Sequence, residues 1–240
     1  MTLLKQIIEP ERLLVVWQCL QDGHCRGKRY IVGELRYLDN KEIKLSYFSE
    51  TEDFQKAKGF GFKGFSIFGI DTSCHTQNVM ETLRRRILSR QRGDFNDFLQ
   101  YYRITPEAGK EMSDFALLGY TGGNLPGDNF TFIHTFENAS LPCELIIEVA
   151  GISHYMQDLE NLENLENLSV YFEAEPNNIQ DSNAVVIKTK DNRKLIGYVN
   201  RAQTEIFNKW ISNKNKVEAH IERINGTISR PSLLLYLTVS

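Results

Sequence analysis

Short runs of β-branched and aromatic residues, bounded by polar turn residues, begin and end this chain, and the middle follows a helical period. Residues 13–20 (LLVVWQCL), 29–38 (RYIVGELRYL) and 42–48 (EIKLSYF) read as strands of an antiparallel sheet, because such side chains suit a pleated, half-buried surface. The run KGFGFKGFSIFGI, residues 58–70, spaces four glycines among phenylalanines and reads as an irregular, aromatic-rich bend. Over residues 76–90, Val79, Leu83 and Ile87 recur at four-residue spacing with Arg84, Arg85, Arg86 and Arg90 around them. That spacing predicts an amphipathic helix with arginines on its solvated face. A second helix is expected over residues 94–102, capped by the Asp94 carboxylate, and Ser113 is placed to cap DFALLGY. The stretch TGGNLPGDN then breaks regular structure before the strand-like FTFIHTF, residues 130–136.

The polar connection ENASLP, residues 137–142, separates this first region from a mostly β second one. Strands are expected there at residues 144–150, 168–174, 183–189, 195–199, 216–224 and 233–239. One helix, residues 201–212, buries Ile206, Phe207, Trp210 and Ile211. The expected fold class is α+β with two domains: an antiparallel sheet with helices over residues 1–136, and a β-rich module over residues 143–240. The acidic insert DLENLENLENL, residues 158–168, repeats a three-residue unit out of phase with strand and helix alike and reads as a solvated loop.

Composition leaves this picture in place: 240 residues, 41% hydrophobic and 25% charged, are ordinary for a folded globular chain. No apolar run reaches the roughly 20 residues needed to cross a bilayer and no signal-peptide pattern is present, so a cytoplasmic protein with no membrane partner is expected. Cys19, Cys25, Cys74 and Cys143 are too few and scattered for a disulfide framework and are expected to be reduced. Charge does change the picture. The formal net charge is −3, yet residues 141–175 hold acids and no Lys or Arg, whereas beyond Pro176 ten cations outnumber five acids. The last third is therefore locally basic, and local potential governs nucleic-acid binding more than the total does.

Three ordered segments carry the functional signal: VAGISHYM (residues 149–156), EPNNIQDSNAVVI (175–187) and LIGYVNR (195–201). Together they resemble the HIRAN domain. The resemblance spans nearly the whole second region and implies an OB-like β-barrel, with one or two helices, that holds the 3′ end of single-stranded DNA. Its matching positions are His154, Tyr155, Asn177, Asn178, Asp181, Tyr198 and Arg201. The chain departs from the family at Ser153, where eukaryotic members have Arg, at Ile179, where Pro is usual, and at Gln180, where an aromatic is common. The residue chemistry agrees in part. His154, Tyr155 and Tyr198 offer flat faces for unstacked bases, and Arg201 can meet a phosphate. Asn177 and Asn178 can donate to sugar or base atoms. Asp181 can accept from a terminal hydroxyl and repel a terminal phosphate. Against this stands simple turn chemistry, since Asn and Asp side chains bond to nearby backbone.

No enzyme site assembles: Gly-x-Ser-x-Gly, His-Glu-x-x-His and Gly-Lys-Ser/Thr phosphate-loop patterns do not occur. His24 with Cys25, and Cys74 with His75, lack further ligands at zinc spacing, so no metal or cofactor is expected. A fainter likeness joins VVW (residues 15–17), VGEL (32–35) and SDFALLGYTGGNLPGD (113–128) to the N-terminal subdomain of HipA-type kinases. It implies a regulatory or partner-binding role for residues 1–136. The expected function is thus a non-catalytic protein that binds single-stranded DNA, at its 3′-hydroxyl end, and recruits a protein partner. The alternative is an antitoxin-like or regulatory subunit that binds a HipA-type kinase.

Overall fold

The computed structural model describes residues 2–21, 23–38, 42–125, 129–155, 165–227 and 230–240. Most of the acidic insert lies outside them, as does the end of the TGGNLPG stretch. Strands and helices are mixed, and both sheets are antiparallel. The chain falls into two compact units. One comprises Ile7–Tyr102 and Pro106–Thr135, the other Met1–Gln6, Arg103–Thr105 and Phe136–Ser240.

In the first unit, β1 (Arg12–Gln18), β2 (Arg29–Tyr37), β3 (Ile43–Tyr47), β4 (Cys74–His75) and β5 (Phe130–His134) form a sheet in the order β4-β3-β2-β1-β5. Five short helices accompany it: α1 (Glu52–Gly59), α2 (Val79–Leu83), α3 (Phe95–Tyr101), α4 (Pro106–Glu111) and α5 (Asp114–Thr121). Ser113 caps α5, its hydroxyl accepting from Ala116 N at 2.9 Å. Thr51 does the same for α1, which the sequence pattern had not marked. The Gly-Phe run folds over the sheet without regular structure after α1. The Tyr47 hydroxyl donates to Phe68 O at 2.6 Å and accepts from Phe65 N at 3.1 Å, so a buried phenol supplies the partners a ladder would otherwise give.

Three expectations fail in this unit. The helix expected over residues 76–90 stops after α2 and a 3-10 turn, Arg84–Arg86, and Ile87 is extended. The arginines are drawn to separate targets instead. Arg84 Nε lies 3.0 Å from Asp114 Oδ2, and Arg90 donates to Met112 O at 2.7 Å. The Arg86 guanidinium lies 5.3–5.7 Å from the ring centroids of Phe65, Phe130 and Phe132 and donates to Gly123 O at 3.0 Å, a cation-π arrangement. A continuing helix would hold Arg86 and Arg90 as like charges four apart on one face. Asp94 does not cap α3: its carboxylate is taken by Arg92 in a two-pronged pair at 2.8 and 2.9 Å. Cys19 and Cys25 are joined by a disulfide, because the β1–β2 connection brings their Cα atoms to 5.7 Å. It is a local clip, whereas Cys74 and Cys143 are free.

The second unit holds β6 (Cys143–Glu148), β7 (Ser169–Ala174), β8 (Val185–Thr189), β9 (Leu195–Tyr198), α6 (Thr204–Ser212), β10 (Val217–Thr227) and β11 (Arg230–Val239). The strands form a curled sheet in the order β6-β11-β10-β7-β8-β9. Alternation places Leu145, Ile147, Leu233, Leu235 and Leu237 inside, and α6 adds Ile206, Phe207 and Trp210. No local pattern announces the two short segments that complete this unit. Leu4 and Ile104, both fully buried, pair in parallel, with Leu4 N donating to Arg103 O at 2.7 Å and Thr105 N to Leu4 O at 3.1 Å. Two carboxylates of the sheet hold them. Glu144 accepts from the backbone N–H groups of Lys5 and Gln6 and from the Tyr236 hydroxyl, the last at 2.7 Å. Glu222 sits at a register shift in β10 between Ile221 and Arg223, where a bulge re-aims a side chain. Its nearly buried carboxylate accepts from Thr2 N at 2.9 Å and lies 3.0 Å from Arg103 Nε.

Two predictions follow from the buried polar groups. His134, 2% exposed, donates through Nε2 to Ile8 O at 2.8 Å, and Ile8 N in turn donates to the Tyr120 hydroxyl at 3.0 Å. Burial lowers its pKa from 6.5 to about 4. Since the folded value lies below the unfolded one, the unfolded chain takes up the proton first. The first unit should therefore lose stability as pH falls from 6.5 toward 4, by about 3 kcal/mol at most. Urea melts followed by Trp17 fluorescence in a Trp210→Phe background should show this, and His134→Gln should flatten the dependence. In the second unit, Arg103→Met should leave Glu222 buried without its cation and cost about 3 kcal/mol. Trp210 fluorescence in a Trp17→Phe background is the readout, and an unchanged midpoint would show that the pair does not hold the unit.

Candidate nucleic-acid interface

Three connections converge at one end of the curled sheet. The first follows β6. Val149 N donates to Leu233 O at 2.9 Å, and then Ala150 pairs with Tyr198 of β9 through two backbone hydrogen bonds of 2.8 and 2.9 Å. β6 and β9 are the two edges of the sheet, so this pair joins them. Gly197 permits the approach. Its φ is +149°, which L side chains rarely adopt, and a Cβ there would lie 2.6 Å from Ala150 O and press on Val149. Gly151, at φ +74°, then turns the chain into a short 3-10 helix, Ile152–His154. Ile152 is buried, Ser153 and His154 are exposed and Tyr155 is half-buried. The Tyr155 and Tyr198 rings lie 6.3 Å apart, with their planes at 48°. The Tyr198 phenol is pushed up to about 12, first by burial, then by hydrogen bonding to Tyr155 and by the Glu175 carboxylate.

The second connection joins β7 to β8, and here turn chemistry is fully visible. Glu175 N donates to Ala184 O at 2.8 Å across its base. Asn178 Oδ1 accepts from Gln180 N at 3.0 Å and Asp181 N at 3.3 Å, while Asn178 Nδ2 donates to Glu175 Oε2 at 3.0 Å. Asp181 Oδ1 accepts from Asn183 N at 2.9 Å. Asn177, Ile179 and Gln180 stand exposed at the tip.

The third connection joins β9 to α6. Asn200 starts a turn, its Oδ1 accepting from Ala202 N at 3.0 Å, and this presents Arg201 on the surface ahead of the helix. Arg201 Nε lies 3.6 Å from Asp181 Oδ2. Asp181 is thus divided: one oxygen holds the turn, and the other faces a guanidinium. Asn208 of α6 ties the helix to the second connection by donating to Asn183 O at 2.9 Å.

The residues singled out from sequence therefore fall on these three connections and at the end of β9. Tyr155 lies beside Tyr198 and Asp181 beside Arg201, whereas His154 and Asn177 are exposed on the same segments. Several cations of the basic last third do not gather with them. Lys188 pairs with Glu173 and Lys216 with Glu218, at 2.8 and 2.9 Å. Lys190, Arg193 and Lys194 surround the β8–β9 turn, at the end of β8 away from Asp181. One functional candidate was missed in the sequence: Glu175, the acid that opens the Glu-Pro-Asn-Asn turn and accepts from Asn178 Nδ2. Its position inside the motif was the available signal.

Residues 144–238 match the family model of the HIRAN domain, the family that the three motifs resemble. No curated protein matches the chain. Among solved structures, the HIRAN domain of human HLTF is similar at 22% identity, covering 40% of this chain and 74% of that one, with a TM-score of 0.33. A protein from Lactobacillus plantarum is similar at 15% identity, covering 40% of this chain and 99% of that one, with a TM-score of 0.29.

The closing pair makes a direct prediction. Gly197→Ala should open the contact between Ala150 and Tyr198 and destabilise the second unit by about 1–3 kcal/mol, the range for a side chain forced into such a backbone region. Hydrogen exchange at the Ala150 and Tyr198 amides should accelerate before that of β10 and β11. Unchanged protection in this variant would show that the edges are not joined there.

Proposed function

We propose that the second unit binds a single strand of DNA at its end, with the terminal 3′-hydroxyl at Asp181, the adjoining phosphate at Arg201 and bases against His154, Tyr155 and Tyr198. In this reading the curled, edge-joined sheet is the OB-like barrel of the HIRAN family. The protein acts by binding and not by catalysis, and the first unit recruits a protein partner. The observation that carries the proposal is the division of Asp181. Its Oδ1 is fixed by Asn183 N and its Oδ2 points to Arg201, so an acceptor and a cation stand side by side where an end offers a hydroxyl and a phosphate. A terminal phosphate would bring negative charge against that carboxylate and forfeit a charge-assisted hydrogen bond.

With Arg201 the one cation assigned to the strand in this reading, the salt dependence should be shallow. The slope of log K against log salt should lie near −0.7 for each phosphate neutralised on a single strand. The proposal is tested by titrating the full chain with otherwise identical strands that end in a 3′-hydroxyl, end in a 3′-phosphate, or are circular. The hydroxyl end should bind at least about tenfold more tightly, since 1.5–3 kcal/mol is typical of a hydrogen bond to a charged group. Asp181→Asn should narrow that preference. Equal affinity for all three strands would reduce Asp181 to a turn residue and remove the end-binding reading.

A further inference from the structure

Glu175 is not among the residues assigned to the ligand above, and its carboxylate is held against the turn that carries Asp181. It is the last residue before the β7–β8 turn, half-buried, with its backbone held at both polar groups: its N–H donates to Ala184 O at 2.8 Å and its carbonyl accepts from Asn178 N at 3.0 Å. Its backbone is thus held at the base of the turn, directly after β7 and opposite the residue before β8. Its side chain accepts from Asn178 Nδ2 at 3.0 Å. A side-chain amide has one accepting and one donating end, and a carboxylate can only accept. Glu175 thereby adds, from the opposite end, to the hold of the turn's N–H groups on the way Asn178 faces. With Nδ2 held by Glu175, Oδ1 is the end that receives Gln180 N and Asp181 N. Those two contacts set the path of the backbone that carries Asp181 toward Arg201.

We infer that Glu175 is the positioning residue of this interface: by holding the Asn178 amide in one orientation it places the Asp181 carboxylate. The inference rests on the proposed binding of a strand end, and adds to it a residue that acts without touching the ligand. The same carboxylate also contributes to the raised phenol of Tyr198, behind burial and Tyr155.

The order of action has a consequence that a merely stabilising contact would not have. If Glu175 works through Asn178, the two residues are one unit, and removing the second after the first should cost little more. Glu175→Gln retains an oxygen that can accept from Asn178 Nδ2, whereas Glu175→Ala does not. The test uses the full chain as wild type, Glu175→Gln, Glu175→Ala, Asn178→Ala and the Glu175→Ala/Asn178→Ala double variant. Each is titrated with a 5′-labelled oligothymidine ending in a 3′-hydroxyl, and its thermal midpoint is recorded alongside. Glu175→Ala should weaken binding about tenfold, Glu175→Gln should stay within about threefold of wild type, and the double variant should match the weaker single variant. Nuclear magnetic resonance should show the Asn178 side-chain amide protons exchanging faster in Glu175→Ala than in wild type. Wild-type affinity in Glu175→Ala, or full additivity with Asn178→Ala, overturns this inference while leaving end binding intact. A wild-type chain that binds none of the strands overturns the parent reading, and the inference with it.

Discussion

The candidate interface depends on one backbone contact, the pairing of Ala150 with Tyr198. A six-stranded antiparallel sheet has two edges, and an edge leaves a row of unpaired amide and carbonyl groups. Here the chain leaving β6 crosses to β9, and Gly197 lets the two backbones approach where a Cβ would collide with Ala150 O. The same contact carries the 3-10 turn with His154 and Tyr155 to the side of Tyr198. Without it those aromatic residues would lie on opposite edges of the sheet.

Around that contact the polar side chains serve the fold as well as the site. Asn178 is occupied by the turn, and Asp181 gives one oxygen to it. This is what holds the remaining oxygen in a defined place, since a carboxylate on an unsupported loop would lose its position to rotamer freedom. Turn chemistry and ligand chemistry are therefore compatible uses of the same residues. In the proposed binding, a ligand phosphate would compete with the existing pairing of Arg201 with Asp181, one that is more than half exposed at the arginine and weak for that reason.

Several charges elsewhere in the chain are absorbed by the protein itself. Arg86 lies over three phenylalanine rings, Arg84 and Arg90 share Asp114, and Arg103 meets a nearly buried Glu222. A count of cations along the sequence therefore overstates what is available to a polyanion. The acids Glu144 and Glu222 likewise hold the short segments Met1–Gln6 and Arg103–Thr105 within the second unit.

The sequence alone determined most strands, the cap of α5, the apolar stripe of α6 and the three motifs that match the HIRAN domain, because each depends on a local period or on residues close in the chain. The sheet order, the closing pair at Gly197 and the membership of Arg103–Thr105 in the second unit were decided only by tertiary structure. So were the early end of the helix at Arg84–Arg86 and the disulfide between Cys19 and Cys25. In each of these cases the deciding partner lies elsewhere in space: a facing backbone for Gly197, aromatic rings for Arg86, a carboxylate more than a hundred residues away for Arg103. Glu175 falls between the two groups. It sat in plain view within a recognised motif, but its carboxylate is engaged by the Asn178 amide of the turn, and a side-chain contact of that kind leaves no period in the sequence.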